Sequence, residues 1–96
     1  MNIKSADIEV FTSSFCNRCK DASLLVAQLL KEEGFESVTW REIDVVEEID
    51  YSVTLAVLTT PTIAIGGKRV FSSLPSRQQL RQAIQQYLIA GKSNDD

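Results

Sequence analysis

The chain has no histidine and only two cysteines among its 96 residues. A structural zinc site takes four ligands, so these two thiols complete one only in a dimer or with an external thiol. The same limit applies to a bridged iron–sulfur cluster. Cationic charge is in deficit as well, with 10 Lys and Arg against 13 Asp and Glu for a net charge of -3 spread along the chain. That leaves no basic field to hold a polyanion, and nucleic acid is not an expected partner. Long apolar runs are missing too. The opening Met1-Asn2-Ile3-Lys4-Ser5-Ala6-Asp7-Ile8-Glu9 breaks with charge before a stretch of signal-peptide or membrane-span length develops, so the expectation is a cytoplasmic protein with no membrane association. There is no internal repeat or low-complexity segment.

What is present suits one small fold. A hydrophobic content of 44% over 96 residues fits a single domain over residues 1–96, with a core from about 7 to 90 and a flexible tail over 91–96. Asp7 to Thr12 carries Ile8, Val10 and Phe11 and reads as a first strand. Ala22, Leu25, Val26, Leu29 and Leu30 recur at helical spacing up to Gly34, which predicts a helix from about Cys16 to Glu33. Ser37 to Asp44 predicts a second strand. Glu47 to Leu58 reads as a short helix whose apolar face is Ile49, Val53, Ala56 and Val57.

After Thr59-Thr60-Pro61, the segments Thr62–Ile65 and Lys68–Phe71 flank Gly66-Gly67 as a hairpin. Ser76 and Gln79 then form a capping-box pattern ahead of a stripe of Leu80, Ala83, Ile84, Tyr87 and Leu88. The order βαβαββα requires a crossover between the first two strands and an antiparallel pair at the end. The expected architecture is α/β, a four-stranded mixed sheet flanked by three α-helices.

Chemistry is concentrated in Phe15-Cys16-Asn17-Arg18-Cys19-Lys20. Two thiols three residues apart at the opening of a helix reach each other across one turn, and the unpaired amides there favour a thiolate. In a reducing compartment such a pair is more often redox-active or metal-binding than a structural staple. Placed first on the predicted helix, Cys16 is the more exposed thiol and the expected nucleophile; Cys19, one turn in, is the expected resolving thiol. Arg18 and Lys20 add positive charge in the same turn and are expected to tune the Cys16 pKa downward. Trp40 reads as edge-strand packing, and Tyr51 and Tyr87 as half-buried rings with wet hydroxyls.

Together these segments resemble the thioredoxin fold, and more narrowly the small glutaredoxin-like thioredoxins. The likeness rests on Val10-Phe11-Thr12-Ser13-Ser14-Phe15-Cys16-Asn17-Arg18-Cys19, on Thr60-Pro61-Thr62 before the hairpin, on Ile65-Gly66-Gly67-Lys68 and on Leu74-Pro75-Ser76-Arg77-Gln78-Gln79-Leu80. It implies a cis Thr60-Pro61 bond beside the sulfurs, with Phe15, Thr60 and Pro61 contacting an extended substrate segment. It also implies a thiol-disulfide oxidoreductase that reduces protein disulfides and needs no cofactor beyond a redox-active Cys16–Cys19 disulfide. Its expected partners are a disulfide-containing protein and, as electron donor, a thioredoxin-type reductase or glutathione; the expected state is a monomer.

Thioredoxins carry a buried acid six residues before the first cysteine. Here that residue is Val10, and Glu9 is expected to point to the other face of its strand. Phe71-Ser72 and Leu74-Pro75 stand where glutathione-binding glutaredoxins have Gly-Gly and a Ser-Asp pair, which favours a protein disulfide as substrate. Two other functions use the same residues: a metal or iron–sulfur carrier assembled in a dimer, and a non-catalytic redox adaptor that uses the Thr60-Pro61 groove.

Overall fold

The computed structural model describes residues 6–91. Along them run β1 (Ile8–Thr12), α1 (Cys19–Leu29), β2 (Trp40–Asp44), α2 (Ile49–Thr54), β3 (Thr62–Ile65), β4 (Lys68–Phe71) and α3 (Arg77–Ile89). The strands form one sheet in the order β2-β1-β3-β4. β1 and β2 are parallel, and β1 with β3 and β3 with β4 are antiparallel. This is the four-stranded mixed sheet with three helices that the sequence predicts. No helix among the described residues is long and apolar enough to cross a membrane.

Strand alternation divides the core in two. Ile8 and Val10 lie opposite Ile65 and Ile63 and meet Ala22, Val26 and Leu29 of α1 and Leu80 and Ile84 of α3. On the other face, Phe11, Ile43 and Ala64 meet Tyr51, Leu55 and Val57 around α2. Both faces of β1 and β3 are therefore covered, whereas β4 is an edge whose Lys68 and Arg69 remain exposed. Edge charges of this kind discourage pairing with another chain.

The elements are shorter than the pattern predicts at four places. β1 starts at Ile8 rather than Asp7, whose carboxylate is used by the Thr39 amide. α1 runs Cys19–Leu29, not from Cys16 to Glu33; Arg18 is its N-cap, and the Ala22 amide makes the first helical bond to the Arg18 carbonyl. β2 starts at Trp40, because Val38 is taken up in a turn to the Phe35 carbonyl.

α2 covers only Ile49–Thr54, and Ala56, at φ 58°, ends it before Leu58. Of its expected face, Val57 packs on the sheet just beyond the helix, but the helical residues do not. Ile49 and Val53 are 53% and 68% exposed, while Ser52 is buried and Tyr51 and Leu55 pack on the sheet. Six residues have no room for two apolar turns, and the polar need of Glu9 beneath selects the Tyr51 side. Of the tail expected at 91–96, residues 92–96 lie outside the described residues.

The hairpin and last helix follow the sequence. Gly66 and Gly67 take φ of 64° and 80° between β3 and β4, and Ser76 with Gln79 completes the capping box of α3. Gly66 also lies against the Tyr87 ring, where an added Cβ would come 2.7 Å from a ring carbon. The Tyr87 hydroxyl donates to Asp7 Oδ1 at 2.7 Å, tying α3 to the start of β1.

Gly66→Ala is expected to lower the unfolding free energy by at least about 1–2 kcal/mol, from the left-handed backbone alone, as read from a urea midpoint. Burial and the Asp7 carboxylate push the Tyr87 hydroxyl from 10.0 up to about 12. Its bond therefore contributes fully below pH 10 and is lost as pH rises through 12. The native chain should lose stability over that window more steeply than Tyr87→Phe.

Candidate active site

β1 and β3 run antiparallel, with Phe11 opposite Thr62. The end of β1 and the beginning of β3 therefore meet at one edge of the sheet, bringing the loop of Cys16 beside Pro61. The Thr60-Pro61 bond is cis. An open groove of ≈ 510 Å³ is lined there by residues 15–18, by Thr60 and Pro61, and by Ser73 and Leu74.

Cys16 and Cys19 are joined in a disulfide with Cα atoms 5.5 Å apart. Cys16 lies in the loop ahead of α1 and not on its first turn, so the sequence-based placement is corrected. It is half-buried and lines the groove, while Cys19, the first residue of α1, is only 6% exposed. Cys19 Sγ lies 4.0 Å from the Phe11 carbonyl oxygen.

Phe15 is 95% exposed beside Cys16. Arg18 lines the groove with an exposed side chain; Lys20, also exposed, is not part of the lining. Among the described residues, no group of three or more His, Cys, Asp or Glu is gathered to hold a metal ion.

Hydroxyl groups hold the loop around Pro61. Ser13 Oγ and Thr60 Oγ1 share a hydrogen bond of 3.1 Å, Thr59 Oγ1 donates to the Ser72 carbonyl at 2.7 Å, and Thr62 Oγ1 donates to the Thr59 carbonyl at 2.6 Å. Ser13 and Thr62 lie within the segments that carry the family likeness and Thr59 adjoins one, but the sequence assigned none of them a role. Their signal was the cluster of hydroxyl residues around one proline, since such side chains bond nearby backbone. In the loop after β4, Ser73 and Leu74 reach the groove, whereas Phe71 at the end of the strand lines a separate hollow against α3.

A model of the thioredoxin domain matches residues 6–85. The chain belongs to the thioredoxin family. A probable thioredoxin of Methanothermobacter thermautotrophicus is 35% identical over 78 residues, covering 81% of this chain and 91% of that protein. A thioredoxin of Methanocaldococcus jannaschii is 31% identical over 81 residues, covering 84% and 94%. Thioredoxin 1 of Thermosipho africanus superimposes with a TM-score of 0.69 at 26% identity, over 90% of this chain and 98% of that one. With its Cys-x-x-Cys pair, the chain is a thiol-disulfide oxidoreductase of this family. Thioredoxins act on disulfide-bearing proteins and are themselves re-reduced by a reductase.

Glu9 lies under the site but faces away from it. It is 1% exposed and accepts from Arg41 Nε at 3.2 Å, from Arg41 Nη2 at 3.1 Å and from the Tyr51 hydroxyl. Arg41 also reaches Glu48 at 3.3 Å. A buried carboxyl group left without donors is costly, and Arg41 and Tyr51 supply them. Burial, and the Glu9 carboxylate it donates to, push the Tyr51 hydroxyl above the usual tyrosine range. Glu9 is thus committed to the α2 face of the sheet, as strand alternation predicts.

Tyr51→Phe keeps the ring against Phe11, with centroids 5.8 Å apart, but removes the donor to Glu9 Oε1. The expected loss is about 1–3 kcal/mol of unfolding free energy, measured by urea titration, because a buried acceptor is left without its partner.

Proposed function

We propose that this thioredoxin-family chain reduces disulfides in protein substrates, with Cys16 as nucleophile and Cys19 as resolving thiol. The observation that carries the assignment is the asymmetry of the pair: Cys16 lines the open groove beside Thr60 and Pro61, and Cys19 is buried behind it. A substrate disulfide lying along the groove meets one sulfur and not the other. The Cys16 thiolate attacks a substrate sulfur and displaces its partner as a thiolate. The Cys19 thiolate then attacks Cys16 Sγ, releasing the second substrate sulfur and leaving Cys16–Cys19 oxidised. Two electrons pass from the dithiol to the substrate, and the released thiolates take protons from solvent.

Substrate recognition is assigned to Phe15, Thr60 and Pro61. Phe15 offers an exposed ring, and the backbone at Thr60, in a loop fastened by the Ser13–Thr60 hydroxyl pair and by Thr59 on the Ser72 carbonyl, is suited to pairing with an extended segment. Arg18, at the groove, supports a lowered thiolate pKa more directly than Lys20 does. A thioredoxin-type reductase or glutathione regenerates the dithiol. A reducing cytoplasm is the compartment in which this direction of electron flow is favoured.

Insulin reduction in the presence of dithiothreitol tests the roles. Cys16→Ser is expected to reduce insulin no faster than dithiothreitol alone. Cys19→Ser, reduced and then freed of dithiothreitol before insulin is added, is expected to accumulate a mixed disulfide through Cys16, visible by non-reducing electrophoresis and mass spectrometry. Undiminished turnover by Cys16→Ser would sink the assignment.

A further inference from the structure

The resolving step requires Cys19 to lose a proton, and the protein offers few groups to receive it. Cys19 is 6% exposed. The Phe11 carbonyl oxygen 4.0 Å from its sulfur accepts a hydrogen bond but cannot take up a proton. The chain has no histidine.

One polar side chain shares the buried face of α1 with Cys19. Ser23 follows it by four residues, one helical turn, which sets the two Cβ atoms about 5–6 Å apart. Ser23 is 8% exposed and its hydroxyl donates to Glu42 Oε2 at 2.5 Å. Glu42 stands on β2 opposite Val10, so its side chain rises on the α1 face of the sheet. It is also exposed.

The other charged groups nearby are occupied or turned away. Glu9 is held by Arg41 and Tyr51 on the opposite face. Asp44, farther along β2, accepts from the Val46 and Glu47 amides. Glu32, beyond the end of α1, holds Arg77 and Arg81 of α3. Lys20 and Asp21 lie on the exposed side of α1. Val10, Val26, Ile63 and Leu80, in the core between the sheet, α1 and α3, carry no titratable group.

We infer that Ser23 and Glu42 form the proton relay of the resolving thiol. The inference rests on the reading above that Cys19 is that thiol. The Cys19 S–H proton passes to Ser23 Oγ as the Ser23 hydroxyl proton passes to Glu42 Oε2. The Cys19 thiolate then attacks Cys16 Sγ, the bond from Cys16 to the substrate sulfur breaks, and the substrate leaves with the electron pair. Glu42, open to water, gives its proton to solvent. When the dithiol is regenerated the path runs in reverse. Glu42 acts through Ser23 and is a positioning residue; neither it nor Ser23 touches the substrate.

Stopped-flow reaction of the fully reduced protein with 5,5′-dithiobis(2-nitrobenzoate) separates the two steps. Attack by Cys16 releases a first coloured thiolate, and resolution by Cys19 releases the second. At pH 7, Glu42→Gln and Ser23→Ala are expected to leave the first phase within about twofold of the native rate and to slow the second at least about tenfold, short of the roughly 10²–10⁴-fold a positioned base contributes because water takes over part of the proton transfer. Ser23→Thr, which keeps the hydroxyl, should stay within about threefold. The deficit should close as pH rises toward 10 and Cys19 ionises unaided.

Second phases within twofold of native in both Glu42→Gln and Ser23→Ala overturn the inference alone. So does equal slowing of both phases, the mark of a mere packing contact between α1 and β2. Absence of a second phase in the unsubstituted protein overturns the resolving role of Cys19, and the relay with it.

Discussion

Phe11 and Thr62 face each other across the β1–β3 ladder, and the position of every group at the site follows from that pairing. β1 is long enough to lie between two neighbours with both faces buried, so sliding it by one residue would exchange Val10 for Glu9 on the α1 face and Phe11 for Val10 on the α2 face. Either exchange is costly, since the α1 face beneath Val10 packs apolar side chains and the other face supplies Arg41 and Tyr51. With the register fixed, the chain leaving β1 is delivered beside the chain entering β3. A sulfur and a proline 45 positions apart in the sequence become neighbours, and the Ser13–Thr60 hydroxyl pair ties their two loops together.

The buried acid secures the same register from the other side. Arg41 stands opposite Glu9 in the parallel β1–β2 ladder, so their ion pair forms only in the native alignment. Buried pairs of this sort add little net stability compared with an apolar replacement, because desolvation offsets most of the attraction. Their effect lies in excluding alternatives: a slipped β2 would leave Glu9 charged and unpartnered in a dry interior. Tyr51 extends the same logic to α2, a helix too short to be held by hydrophobic burial alone.

Much of this was legible because it is local. The Cys-x-x-Cys spacing, the Gly66-Gly67 turn and the Ser76–Gln79 box each need only a few consecutive residues, and each sits where the sequence places it. The start of α1 was misplaced because apolar periodicity marks the body of a helix and not its first turn; the loop carrying Cys16 is shaped by its pairing with the Pro61 loop. The buried face of α2 was misread because the pattern ranked Ile49 and Val53 above Tyr51. What decided the matter was a carboxylate 42 residues away. The Ser23–Glu42 bond joins a helix to a strand through two unremarkable polar residues, and no spacing rule within either element points to the other.

The wall of the groove around Pro61 is fastened by the hydroxyls of Ser13, Thr59 and Thr62, groups that neither titrate in the physiological range nor respond strongly to ionic strength. The shape presented to a partner is consequently decoupled from the acidity that governs the sulfurs. As the medium becomes more alkaline or more saline, the reactivity of the thiols changes while the surface that recognises the target keeps its contour. Selectivity and speed can then vary independently in a protein of fewer than a hundred residues.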